Sequence, residues 1–153
     1  MYNEEETIGT VVTLALKYAD AVICVDDGSS DSSARIAEAC GATVIRHRVN
    51  RGYGGALKSL FINAIEMKAT ALVVLDSDGQ HKVADIPILL KPILDKQADF
   101  VIGSRFIDGG GGTDMPAYRR LGIKVITAAS NLSRDISIKD TPVSYTHLTL
   151  PTI

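Results

Sequence analysis

No run in this chain is long and apolar enough to cross a bilayer. The longest, such as Ala71-Leu72-Val73-Val74-Leu75, have the length of a strand. No basic, apolar-cored leader opens the sequence either, so the expected setting is cytoplasmic, with peripheral contact at a membrane surface left open. Charge of one sign is scarce: 16 Lys and Arg stand against 18 Asp and Glu, a net charge of −2 that gives no electrostatic footing for nucleic acid. Cysteine is scarce too. Cys24 and Cys40 have no metal-site or disulfide-framework spacing, and without a secretion signal they read as buried thiols. No repeat is visible, and the one low-complexity patch is the glycine run 109–112. What remains is 153 residues, 46% hydrophobic and 22% charged, the composition of a single globular domain with room for a core.

Helical and strand periods alternate along it. Residues 4–19 read as a helix with Ile8, Val11, Val12, Ala15 and Ala19 inward, Asn3 as N-cap and Glu6 as its capping-box partner. A strand at 21–26 is followed by a helix that Asp31 caps and that ends at Cys40, with Gly41 as its C′ glycine. Strand 42–46 leads to the turn Asn50-Arg51-Gly52-Tyr53-Gly54-Gly55, which opens a helix through Lys68. Its expected inner face is Leu57, Leu60, Phe61, Ala64 and Ile65. Strand 70–75 precedes a helix at 84–96, begun by Asp85 with Pro87 in its first turn and shortened or kinked by Pro92. Strand 99–103, a mobile glycine loop at 108–113 and a helix from Pro116 to about Arg134 complete the series. Such alternation predicts an α/β domain with a doubly wound, mostly parallel sheet and helices on both faces. The series opens on a helix with no strand feeding it, so a first strand is expected to be lacking. Residues 143–152 resemble one reading frame of a transposase-type sequencing-library adapter. The domain is therefore taken as 1–142, truncated, with 143–153, including Tyr145 and His147, set outside the fold as a non-native tail.

The chemistry gathers where strands end. Asp76 and Asp78 close the run 71–75 and are followed by Gly79-Gln80-His81. Hard oxygen ligands so placed, at the carboxyl end of a buried strand, suit Mg²⁺ or Mn²⁺ and a diphosphate. Asp26 and Asp27 end an earlier strand beside Gly28-Ser29. There Asp27 can accept from a base N–H, or the pair can simply cap the next turn. His81 reads as structural or as a group behind the metal ligands. The 50–55 turn suggests an anion site at a helix N-terminus but lacks the Gly-Lys-Ser/Thr of a P-loop, so close packing explains it as well.

Tyr2-Asn3-Glu4-Glu5, Val25-Asp26-Asp27-Gly28-Ser29, Asn50-Arg51-Gly52, Asp76-Ser77-Asp78-Gly79-Gln80-His81 and Gly103-Ser104-Arg105 occur in order across residues 1 to about 141. In this the chain resembles inverting family-2 glycosyltransferases of the GT-A (Rossmann-like) fold, most of all the dolichyl- and polyprenyl-phosphate mannosyl- and glucosyltransferases. The resemblance implies that Tyr2, Glu4 and Asp27 line the base and ribose. It implies Asp78 and Gln80 as direct metal ligands, with Asp76 nearer the ribose or acting through water. Arg105, with Arg119 or Arg120, would bind phosphate, since guanidinium matches phosphate geometry. A solvated helix face accounts equally well for the Arg119-Arg120 pair. The Ser-Gly-Phe-Arg-like segment expected after Asp140-Thr141 is absent, and the tail stands there instead.

The expected reaction is metal-dependent, inverting transfer of a hexose from a nucleotide diphosphate sugar of GDP-mannose or UDP-glucose type to a polyprenyl or dolichyl phosphate. The metal, Mg²⁺ or Mn²⁺, and the arginines would offset charge on the leaving diphosphate, with Asp78, Arg105, Arg119 and Arg120 as the catalytic set. An anionic phosphate acceptor needs no strong base, which agrees with the absence of an activated Ser-His-Asp set from the motifs. A sugar-hydroxyl acceptor would need a carboxylate base. The alternative from another class is a receiver-like phosphoacceptor domain, but that also needs a lysine at the last strand end, where Ser104-Arg105 stands.

Overall fold

A computed structural model describes residues 1–103 and 146–148. The helix at 116–134, the loop at 108–113, and Arg105, Arg119 and Arg120 lie outside the described residues. The elements run α1 (Ile8–Ala15), β1 (Ile23–Asp26), α2 (Ser33–Ala39), β2 (Thr43–Arg46), α3 (Gly52–Glu66), β3 (Leu72–Val74), a 3-10 turn (Val83–Asp85), α4 (Ile86–Leu94), β4 (Phe100–Val101) and β5 (Thr146–Leu148). The alternation expected from sequence is borne out, with each element shorter than its period.

β1 and β2 pair in parallel, Ile23 opposite Thr43 through Asp26 opposite Arg46. β3 and β4 both pair antiparallel with β5, so they run parallel to each other. Helices cover both faces. Ile8 and Val12 of α1 and Ala37 of α2 pack with Cys24 and Ala42. Ala15 of α1 and Ile86 of α4 pack with Val83, against Val22 and Val73. α3 contacts β1 and belongs to neither cluster, which puts it on the opposite face. Cys24 and Cys40 are both free thiols, but only Cys24 is buried as expected; Cys40, at the end of α2, is partly exposed. Burial pushes the Cys24 thiol up to about 11, so it stays protonated and behaves as a small apolar group.

Several local expectations need correction. Asn3 does not cap α1, whose N-cap is Thr7. Its φ is +55°, its Oδ1 accepts from Ser30 N–H at 2.9 Å, and its own N–H donates to Ser29 Oγ at 3.0 Å. A short amide that finds partners across the fold is lost to the local cap. α1 stops at Ala15, which leaves Ala19 exposed. Ile65, expected inward on α3, is 49% exposed, because only Ala64 on that turn reaches the sheet. α4 runs through Pro92 and ends at Leu94, short of the expected 96.

The tail set outside the fold supplies β5. Thr146–Leu148 lies between β3 and β4, bonded to both. Ladder bonds use backbone groups that every non-proline residue carries, so two facing edges can recruit an extended segment with little regard to its sequence.

Helix ends are set by one device used three times. After α2, Gly41 N–H donates to Glu38 O and Ala42 N–H to Ala37 O, both at 3.0 Å, the paired bonds of a Schellman cap. Gly41 sits at φ +98°, as expected of a C′ glycine. After α3 and α4 the same position holds Lys68 and Lys96, at φ +55° and +56°. A Cβ in that region is strained, and a glycine is not. Lys68→Gly should therefore stabilise the chain by about 0.5–1 kcal/mol, raising Tm by roughly 2–4 °C. A thermal melt that showed a loss would mean the lysine side chain contributes more than its backbone strain costs.

Candidate functional site

β1 delivers two buried carboxylates in succession, and neighbouring strand residues point to opposite faces, so they do different work. Asp26 Oδ1 accepts from Ser29 N–H at 2.9 Å, the turn-capping role considered for it. That turn passes through Gly28 at φ +84°, where a Cβ would stand 3.1 Å from Asn50 N and 3.2 Å from Val49 C. Glycine is required there by both backbone and space.

Asp27 turns the other way. Its Oδ1 takes His47 Nδ1 at 2.6 Å and Arg51 N–H at 2.9 Å, and His47 Nε2 lies 2.8 Å from Ser59 Oγ on α3. Burial alone would raise the Asp27 pKa. The bond from His47 and the backbone N–H groups of Arg51 and Gly52 outweigh it and hold the carboxyl below its ordinary value. The anion at the N-terminus of α3 is thus the protein's own Asp27 carboxylate, seated on unpaired first-turn N–H groups. Asn50 Oδ1 accepts from Gly52 N–H at 2.9 Å and completes the turn.

The second acidic strand end follows β3. Asp78 Oδ1 accepts from Gln80 N–H at 2.9 Å, closing a turn through Gly79 at φ +73°. Thr7 Oγ1 donates to Ser77 O at 2.7 Å and pins this turn to the start of α1. His81 is buried. Its Nδ1 accepts from Asp76 N–H at 3.1 Å and its Nε2 lies 3.8 Å from Asp76 Oδ2, so it braces the strand end from behind. Among the described residues no three His, Cys, Asp or Glu side chains converge as a preformed metal cage.

Tyr2, Glu4, Asp27, Asp76 and Asp78 all line one cavity of about 920 Å³, at the carboxyl ends of β1 and β3. Gln80 is exposed and stands outside that wall. Two groups that the sequence did not single out belong here. Tyr53 lines the same cavity, and burial together with the negative charge of Asp76 raises its phenol pKa. His47 was invisible because its partner lies 20 residues away. The only signal was a histidine one position past a strand that runs beside Asp27.

This arrangement has relatives. Residues 1–146 match the profile of "Glycosyl transferase family 2". The chain belongs to glycosyl transferase family 2. Among curated members of this family 2 group, the UDP-N-acetylglucosamine–dolichyl-phosphate N-acetylglucosaminyltransferase of Methanococcus voltae is 32% identical over 79% of this chain and 55% of its own length. The undecaprenyl-phosphate mannosyltransferase of Micrococcus luteus is 34% identical over 78% of this chain and 51% of its own. The chain spans about half the length of the curated relatives it matches. The crystal structure of Mycobacterium tuberculosis glucosyl-3-phosphoglycerate synthase, in complex with Mn²⁺, UDP-glucose and phosphoglyceric acid, matches with a TM-score of 0.70 at 22% identity. It covers 97% of this chain and 54% of that one. The fold of this family-2 domain is therefore the GT-A α/β fold expected from its motifs.

The lowered pKa of Asp27 makes a prediction about acid stability. A depressed carboxyl contributes stability above its unfolded pKa, about 3.9, and loses it as pH falls through the folded value. The stability of the family-2 domain should exceed that of its Asp27→Asn variant at pH 7. The gap should close as pH drops below about 4, measured by urea unfolding across the range. A gap unchanged from pH 7 to pH 2.5 would mean that Asp27 is held by packing and not by its charge.

Proposed function

We propose that this domain carries the nucleotide-sugar half of a glycosyltransferase that moves a hexose from a nucleotide diphosphate sugar to a polyprenyl phosphate, with inversion. The observation that carries this reading is the convergence of Tyr2, Glu4, Asp27, Asp76 and Asp78 on one mouth in a chain of this family. The names of relatives support the acceptor class: a dolichyl-phosphate N-acetylglucosaminyltransferase, an undecaprenyl-phosphate mannosyltransferase and a polyprenol monophosphomannose synthase. The setting that follows is the cytoplasmic surface of a membrane. No helix among the described residues is long and apolar enough to cross one. The receiver-like alternative is displaced by the family match.

The donor set fits a divalent cation of the Mg²⁺ or Mn²⁺ type. Such an ion takes one or two protein carboxylates and fills its remaining positions with substrate phosphate and water, so no three-residue cage is needed. Asp78, with one oxygen committed to the turn and the other turned to neither a described donor nor a cation, is the direct ligand. Asp76, its side chain 42% exposed and braced by His81, lies beside it. Gln80 would have to swing inward from the surface to join them. The ion would neutralise charge building on the departing diphosphate.

The chain's own groups position the donor. Asp27, locked by His47 and the α3 N-terminus, offers its remaining oxygen to a base N–H, and Tyr2 and Glu4 flank the same space. Tyr53, across from Asp76, is a phenol that stays protonated at neutral pH and can donate to a phosphate or ribose oxygen. Arg105 with Arg119 or Arg120 is assigned to the phosphates by the family resemblance alone. A phosphate acceptor enters as an anion, so no base is required on this half.

Thermal shift tests the assignment. Mn²⁺ together with UDP or GDP should raise Tm more than the sum of their separate effects, since each completes the other's site. Asp78→Ala should abolish the synergy and leave the ligand-free Tm within about 2 °C, as expected for a half-exposed turn residue. Undiminished synergy in the variant would remove Asp78 from the metal site. Absence of synergy in the unmodified chain with either nucleotide would count against the donor reading itself.

A further inference from the structure

The donors around Asp27 are shared unevenly between its two oxygens. Oδ1 takes His47 Nδ1 at 2.6 Å and Arg51 N–H at 2.9 Å. A carboxylate oxygen has two lone pairs, so both acceptor positions on Oδ1 are filled. Gly52 N–H also supports the charge, although its short bond, at 2.9 Å, goes to Asn50 Oδ1. What remains for a ligand is Oδ2, on a buried side chain that borders the 920 Å³ cavity.

His47 is fixed in this duty. It is buried, and its Nε2 lies 2.8 Å from Ser59 Oγ on α3. An ionised carboxylate only accepts, so the proton is assigned to Nδ1, and Nε2 meets the Ser59 hydroxyl. Turning the ring away would leave buried polar groups on both sides unpaired. His47 does not line the cavity, so it reaches a ligand only through Asp27.

We propose that His47 is a positioning residue that makes the base site selective for uracil. The inference rests on the donor reading above, in which Asp27 accepts from a base N–H. By filling Oδ1, His47 and Arg51 leave an acceptor for one N–H, and the nucleobases differ in what they offer there. Uracil presents a single N3–H between two carbonyls. Guanine presents N1–H and its 2-amino N–H side by side, a pair that suits a carboxylate with both oxygens open. Against Asp27 one of that pair loses its partner. Cytosine and adenine turn a bare ring nitrogen to the same point, where two acceptors face each other. The donor class that fits is a uridine diphosphate sugar.

The test is calorimetric titration of the chain with nucleoside diphosphates in the presence of Mn²⁺, read as ratios of Kd. UDP should bind at least ~10-fold more tightly than GDP, the scale of one donor left unpaired. Inosine diphosphate keeps the purine and its N1–H but lacks the 2-amino group, so it should bind more tightly than GDP. UDP methylated at N3 should bind at least ~10-fold more weakly than UDP. His47→Asn keeps an N–H near the place of Nδ1 and should preserve the UDP-to-GDP ratio. His47→Leu removes that donor, opens Oδ1 and should cut the ratio at least ~3-fold. A histidine that served packing alone would weaken both nucleotides together, and an unchanged ratio in His47→Leu would overturn the proposal. GDP binding as tightly as UDP or as inosine diphosphate, or N3-methylation without effect, would overturn it and leave the donor reading in place. Failure of every nucleotide to bind would remove the donor reading and the proposal with it. Should His47→Leu fail to fold, the inosine and N3-methyl probes on the unmodified chain decide.

Discussion

A strand covered by helices on both faces has no water to fall back on, so its backbone must be paired along both edges. That requirement organises this molecule. β1 and β3 are bordered by α1 and α4 on one side and α3 on the other, and among the described residues β1 is laddered to β2 and β3 to β5. Between the two ladders lies the cavity of about 920 Å³. Many of its consequences are visible in α3, where only Ala64 is buried and Leu57 and Leu60 face open space. The same requirement explains β5: the facing edges of β3 and β4 are met by backbone from a segment whose sequence shows no strand pattern.

Charge is handled differently at the two acidic strand ends, and the difference tells which oxygens remain for a ligand. Asp26 is consumed by its own turn. Asp27 is ionised and buried, its charge met by His47 and by the first N–H groups of α3, so it acts as a fixed acceptor more than as a titrating group. Asp76 and Asp78 sit on a turn pinned by Thr7 and His81 but keep contact with solvent. The geometry thus separates a carboxylate fixed by its hydrogen bonds from a pair that keeps contact with solvent.

Much of this was legible in the sequence, for reasons that differ from residue to residue. The apolar runs ending in Asp26-Asp27 and Asp76-Ser77-Asp78 report strand ends directly, because burial and the turn are encoded within a few residues. Gly41 reports a helix end for the same local reason. The failures are long-range. Asn3 carries a perfect local signal for a cap, yet it bonds to Ser29 and Ser30 across the fold. His47 and Ser59 fix the Asp27 rotamer from two other elements, and no spacing rule connects them. Lys68 and Lys96 occupy left-handed positions where sequence reasoning looks for glycine, since the Schellman bonds hold the backbone whatever side chain it carries. Ile65 has the period of an inward residue on a helix whose inner face is only partly covered.

The two walls of the site are tied together at its rim. Tyr2 and Glu4 stand within three residues of Met1, and what holds Met1 is one rung of ladder at the end of β1. Glu4 N–H donates to Ser33 Oγ at 2.7 Å and Glu5 N–H to Asp31 Oδ2 at 3.2 Å, so the segment is tied on its α2 side. On its β3 side the tie is Thr7 to Ser77, which joins the start of α1 to the turn bearing Asp76 and Asp78. The spacing between the Asp27 wall and the Asp76–Asp78 wall rests on these ties at the rim and on helix packing. The proposed donor touches both walls at once, so whatever sets their separation also sets how much of its binding energy is spent on ordering the protein.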